Sequence, residues 1–138
     1  MAFFQFFAKL KRSLLDKSEA LSMKLRTLDD SAILAIIEPM IDRMLAGSAE
    51  RNHAKHVADF TERLKVIVTE ENLAAQCEDY QSKLGVFERR EFVALFRRQH
   101  SIAATWRLFF TKSSDEFVLE AMFVERDGIL QIEHCMIF

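Results

Sequence analysis

The chain is short of the residues that bend, stiffen or cross-link a polypeptide. Of its 138 residues, three are glycine, one is proline and two are cysteine. Without a Gly-rich loop, the usual phosphate-cradling motifs are excluded, because they need backbone N–H groups unobstructed by Cβ. Cys77 and Cys135 are too few for a disulfide framework and lack zinc-ligand spacing. No apolar run approaches the ~18 residues of a membrane-spanning helix. Nor is there an excess of one charge: the net charge is −2, which argues against nucleic acid as the main partner. No motif calls for a cofactor. What is present is apolar bulk. Half the residues are hydrophobic and 29% are charged, the balance of a folded domain and not of a disordered chain. A single domain of this length buries about 68–70% of its unfolded surface.

Charge and phenylalanine are unevenly spread. Residues 1–28 hold six Lys+Arg and two Asp+Glu, a balance of +4, and the remainder is at −6. Four of the thirteen phenylalanines, Phe3, Phe4, Phe6 and Phe7, fall in the first seven residues. The cations follow this apolar stretch instead of preceding it, unlike a secretory signal. The expectation is a cytoplasmic chain with reduced thiols. Phe3, Phe7, Leu10, Leu14, Leu21, Leu25 and Leu28 recur at helical spacing, with Gln5, Lys9, Arg12 and Asp16 opposite. Residues 1–28 are therefore read as an amphipathic helical extension, about 40 Å long if unbroken. Residues 1–17 also have the make-up of a helix lying on an anionic membrane surface. Packing of the same stripe on the body or on a second subunit is the competing reading.

Residues 29–138 form the second unit. Asp29, Asp30 and Ser31 are a cap cluster before an apolar helix whose face carries Ile33, Ile36, Ile37, Met40, Ile41 and Met44. Pro39 is expected to kink or restart this helix, and Gly47 to end it. Thr61 and Thr69 cap two further helices, the last ending at Gly85. Beyond Gly85, four segments rich in aromatic and β-branched residues read as strands. Asp127-Gly128 marks a two-residue hairpin turn, which places Arg126 opposite Ile129. Alternation then puts Phe117, Leu119, Ala121 and Phe123 on one face with Leu130, Ile132, His134, Met136 and Phe138. The other face takes Val118, Glu120, Met122, Val124, Gln131, Glu133, Cys135 and Ile137. A loop of two or four residues within 112–115 adds Trp106, Leu108 and Phe110 to the first face and sets Arg107 against Glu120. In the first strand, Phe92/Phe96 and Val93/Leu95 are both apolar sets, so its register is open.

Helices followed by a curved antiparallel sheet is the order of the nuclear transport factor 2-like (cystatin-like) α+β cone. Three stretches resemble small uncharacterised bacterial families of that fold: DFTERLKVIVTEENL (59–73), SKLGVFERREFV (82–93) and FVERDGILQIEH (123–134). The resemblance covers roughly residues 31–138 and leaves residues 1–30 without a counterpart. It implies helices packed on one face of a curved sheet of about four strands, with an enclosed space between them. It brings no catalytic motif.

On that frame, Trp106, Leu108, Phe110, Leu119, Ala121, Phe123, Ile132 and His134 face the enclosed space, with Tyr80 within reach. His134 is the ionisable residue expected there, and so the candidate acid/base of an isomerase, dehydratase or hydrolase-like enzyme. A histidine packed in an aromatic core is the plainer account. His53 and His56, three apart on a helix with Glu50 and Asp59 nearby, have metal-ligand spacing; a solvated helix face explains them equally. Arg107, Glu120 and Glu133 cluster on the second face, where cross-strand ion pairing accounts for them. With Phe109, Val118, Met122 and Val124, they form an apolar face suited to a homodimer. The leading expectation is a non-catalytic binding module with a pocket for a small apolar ligand or a surface for a protein partner. An enzyme using His134 and a peripheral membrane protein are the alternatives.

Overall fold

A computed structural model describes residue 5, residues 8–13 and residues 24–138. Expectations resting on Phe3, Phe4, Phe6, Phe7, Leu14 and Leu21, and so most of the membrane-surface reading of 1–17, lie outside the described residues. Residues 8–13 are helical and exposed. Residues 24–27 form a helical turn that brings Leu25 into the core and Leu28 against it. No described helix is long and apolar enough to cross a membrane.

Among the described residues from 30 onward, four helices precede four strands: α1 (Asp30–Ala49), α2 (His53–His56), α3 (Glu62–Ile67), α4 (Glu70–Leu84), β1 (Phe87–Arg97), β2 (Ser101–Phe110), β3 (Phe117–Arg126) and β4 (Ile129–Ile137). Each helix starts on a side-chain cap that satisfies an orphan N–H. Asp29 accepts from Ala32 N, Asn52 from Lys55 N, Thr61 from Leu64 N and Thr69 from Asn72 N. The strands form one antiparallel meander in the order β1-β2-β3-β4, so the chain is α+β with an open sheet.

Helix α1 departs from its expected limits twice. It runs through Pro39 without a break, and it passes Gly47 to end at Ala49. The apolar stripe Ile33, Ile37, Met40, Ile41, Met44 and Leu45 is buried along its whole length, and that burial outweighs the hydrogen bond lost at Pro39. The stripe packs on the inner face of the sheet, against buried Ile102, Ala104, Trp106, Leu108, Leu119, Ala121, Phe123 and Ile132. A polar clasp closes the same layer. Glu38 accepts from Trp106 Nε1 at 2.8 Å and pairs with Arg90, which also reaches Asp42 at 2.7 Å.

The Asp127-Gly128 hairpin has positive φ at both positions, 55° and 80°, and Arg126 opposes Ile129. Two registers then depart from simple alternation. Between β2 and β3, Trp106 opposes Leu119 and Arg107 opposes Val118 instead of Glu120. The connecting segment is longer than expected because Thr111 N and Lys112 N bond back to Val86 O and Leu84 O. The slip is two residues, so the faces are kept. In β4, Phe123 pairs with Ile132 but Met122 pairs with His134, leaving Glu133 as a bulge. That single residue inverts every later side chain. Cys135 and Ile137 turn inward and pack on the core, whereas His134 and Met136 move to the outer face. In β1, bulges at Glu88 and Val93 place Leu95 against the core beside Ala104 and leave Phe96 outside, opposite Ala103.

Candidate functional site

Gly47 is the start of the site. A Cβ there would lie 2.3 Å from the His56 backbone nitrogen. Only glycine lets α2 settle this closely on α1. The close approach brings His56 Nδ1 within 2.8 Å of Met44 O. A carbonyl only accepts, so Nδ1 carries the proton and donates. The ring meets Phe60 edge to face, with centroids 5.3 Å apart. Burial, and to a lesser degree the neighbouring His53, holds the His56 pKa below its ordinary value. The imidazole is therefore neutral at pH 7, with a lone pair on Nε2. No described residue hydrogen-bonds that atom.

Helix α4 forms the second wall. Tyr80 Oη and Ser48 Oγ share a hydrogen bond of 2.9 Å, and Gln81 Nε2 donates to Tyr80 Oη at 3.1 Å and to Ser48 O at 3.2 Å. The Cys77 thiol donates to Ser48 O at 3.3 Å. Burial raises the Tyr80 pKa, so the phenol stays protonated. The Tyr80 ring continues into an aromatic series: it lies 5.3 Å from Phe87 and 5.9 Å from Phe110, which meets Phe117 at 4.9 Å. The third wall is the end of β4, where the bulge has turned in Cys135 and Ile137. Burial, then the charge of Glu120, pushes the Cys135 thiol up to about 12. It is a packing thiol and not a nucleophile.

These walls line an open-mouthed cavity of about 460 Å³, within the range of small-molecule sites. Met44, Phe60, Leu64, Phe110, Phe117 and Ile137 supply apolar lining, Ser48, His56 and Tyr80 supply polar groups inside, and Gln76, bonded to Asn72, stands exposed at the rim. Among the described residues, no Lys or Arg lines it. The one charged lining residue, Asp79, is exposed and paired with Lys83 at 2.5 Å.

Of the side chains expected to line a pocket, Tyr80 and Phe110 do so here. Trp106, Leu108, Leu119, Ala121, Phe123 and Ile132 are instead consumed by the packed core under α1. His134 is not in this space. The Glu133 bulge puts it on the outer face, where Nε2 donates to Glu120 Oε1 at 2.9 Å. There it borders a separate groove of about 320 Å³ with Phe96, Arg98, Thr105 and Met122. His53 and His56 do not converge on a metal. One ring nitrogen of each is spent on a different backbone carbonyl, His53 Nε2 on Val68 O and His56 Nδ1 on Met44 O, and the nearby carboxylates are paired, Glu50 with Lys55 and Asp59 with Arg43. Among the described residues, no group of three or more His, Cys, Asp or Glu is placed to hold a metal ion.

The Arg107, Glu120 and Glu133 cluster also separates. Arg107 pairs with Glu91 and Glu116, Glu120 with His134, and Glu133 turns toward α3 to meet Thr61 and Arg63. Of the other outer-face candidates, Phe109 lies under the Arg89 guanidinium at 3.7 Å, Val124 is buried, and Val118 and Met122 keep exposed surface. Sequence reasoning passed over His56 as a pocket residue. Its signal was Gly47 inside a continuing apolar stripe, which marks a close approach by another segment.

The comparisons with known proteins add no name: the chain matches no family model, and no curated protein matches it in sequence.

Proposed function

We propose that the chain is a binding module that holds a small apolar ligand in the cavity between α1, α2, α4 and the end of β4. The cavity carries this reading. It is sized for a ligand, walled by aromatic and aliphatic side chains, and furnished with a few fixed, neutral polar groups. Burial keeps the Cys135 thiol protonated, the Cys77 thiol donates to Ser48 O, and the His–Glu pair that would suit acid/base work lies on the other side of the sheet. A nuclear transport factor 2-like architecture accommodates the order of four helices followed by a four-stranded meander. Two free cysteines suit a reducing, cytoplasmic setting. The test is titration with the neutral apolar fluorophore N-phenyl-1-naphthylamine. Micromolar binding, abolished by Ile137→Trp in a protein that still unfolds cooperatively, is the expected result. Absence of binding to the unaltered chain sinks the proposal.

The outer face favours a second reading alongside the first: self-association as a homodimer. Phe96, Val118 and Met136 stand exposed there, beside the half-buried Met122 and around the Glu120–His134 pair, and exposed apolar surface rimmed by polar residues marks interaction sites. Light scattering at micromolar concentration decides it. A mass near 16.1 kDa refutes the dimer. Twice that mass, reduced by Val118→Glu, supports it.

A further inference from the structure

We infer that the cavity selects a neutral ligand bearing a hydrogen-bond donor, a hydroxyl on an apolar body, and that His56 Nε2 is the acceptor that orients it. This rests on the ligand-binding reading above and specifies the ligand's chemistry. Three observations converge on it. The His56 tautomer is fixed, because Nδ1 must donate to Met44 O. That leaves Nε2, at the opposite end of a ring lining the cavity, as an acceptor with no partner among the described residues. Gln76 and Asp79 stand at the exposed rim, bonded to Asn72 and Lys83, and the other polar groups inside are already engaged with one another. Ser48 Oγ and Tyr80 Oη bond mutually, Gln81 donates to Tyr80 Oη, and Cys77 and Gln81 donate to Ser48 O. A ligand donor meets its open partner at His56.

The third observation is electrostatic. No Lys or Arg lines the cavity among the described residues, and its charged lining residue is the acidic Asp79 at the exposed rim. A carboxylate or phosphate entering this space would lose its hydration with no cation to replace it. Both oxygen-bearing neighbours stay neutral as well, the Tyr80 phenol protonated by burial and Ser48 a hydroxyl. The site therefore discriminates by donor capacity and by charge, beyond apolar size alone.

The experiment compares three ligands of one shape by calorimetric titration at pH 7.5: 2-naphthol, 2-methoxynaphthalene and 2-naphthoate. 2-Naphthol is expected to bind about tenfold more tightly than the ether, the size of one well-placed hydrogen bond, with 2-naphthoate the weakest. In His56→Phe, which keeps an aromatic ring against Phe60, the gap between naphthol and ether should close. In His56→Gln, which restores an acceptor, part of it should return. Ether binding equal to naphthol, or naphthoate binding tightest, overturns the head-group assignment while the pocket reading stands. Failure of all three ligands to bind removes both. The wild-type comparison decides the matter even where a His56 variant does not fold.

Discussion

The two faces of the sheet are built from the same four strands, yet they are governed by different physics. On the inner face, Trp106, Leu108, Leu119, Ala121, Phe123 and Ile132 are almost fully excluded from water. Their polar obligations are met one by one, as when Glu38 accepts the Trp106 indole N–H. On the outer face, Arg107, Glu91, Glu116, Glu120 and His134 make ion pairs whose members keep between 38% and 61% of their side-chain surface exposed. Burying apolar area contributes about 25 cal/mol per Å² and penalises any polar group left unpaired. Exposed ion pairs contribute about 0–1 kcal/mol. Stability and the cavity belong to the inner face, and the outer face is free to vary or to be covered. Four predictions test how far this contrast holds.

The largest effect is expected at Gly47, which seats α2. In Gly47→Val, the added side chain meets the His56 backbone, whose nitrogen lies 2.3 Å from the Cβ position. That backbone cannot yield as a flexible side chain does, so the cost should exceed about 3 kcal/mol by urea denaturation. Ligand binding should vanish with it, because the His56 ring loses its anchor at Met44 O. A fully stable Gly47→Val protein would show that the inner wall is not fixed by this approach.

Glu38→Ala comes next. It leaves the Trp106 N–H without its acceptor and removes one of the two carboxylates facing Arg90. The expected loss is about 2–3 kcal/mol. A loss below about 0.5 kcal/mol would mean that the two faces do not differ as claimed.

These sites also show what the chain discloses before it folds. The caps at Asp29, Thr61 and Thr69 and the Asp127-Gly128 turn are local chemistry, readable from adjacent residues. The inner stripe from Trp106 to Phe110 is a period-2 pattern, equally local. The face of His134 was not readable. It depends on a bulge at Glu133, and that bulge is held by Thr61 and Arg63, some seventy residues earlier in the chain. The loop between β2 and β3 was misjudged for the same reason, since its N–H groups are claimed by Leu84 and Val86. The cavity gathers α1, α2, α4 and β4, so its residues share no pattern in sequence. Within it, Tyr80 and Phe110 were legible as pocket residues, and Gly47 left a trace of the close approach that seats His56.

The bulge gives the third prediction. Glu133 accepts from Thr61 Oγ1 at 2.5 Å and from Arg63 Nε at 2.9 Å, and Thr61 first, then Arg63, holds its carboxyl below the ordinary value. Glu133→Ala should cost about 1–2 kcal/mol at pH 7. A depressed carboxylate contributes stability that is present above its unfolded pKa, about 4.3, and is lost as pH falls through the folded value. His56 acts at a higher pH. Its lowered pKa means that the unfolded chain binds more protons below about 6.5, so this contribution is also lost as pH falls from there. Acid titration of the unfolding free energy should show two declines. The upper one should be absent in His56→Phe, and the lower one should shrink in Glu133→Ala, the Glu91 carboxyl beside Arg89 and Arg107 being held low as well. A single decline unaffected by either variant would remove both assignments.

The smallest effect is expected where the sequence seemed to offer a catalytic residue. His134 and Glu120 are joined at 2.9 Å, but their side chains keep 40% and 38% of their surface exposed. Solvent screens such a pair, and the entropy of fixing both side chains offsets much of the remaining attraction. His134→Gln should therefore shift the unfolding free energy by no more than about 0.5 kcal/mol and leave naphthol binding unchanged. Glu120→Gln should match it. The informative failure is a loss above about 2 kcal/mol in either variant, because exposed pairs do not reach that size. The pair would then have to be shielded from water by something outside the single chain. If that loss also grows with protein concentration, a second copy covers the outer face, and the contrast between the two faces holds for the isolated protomer alone.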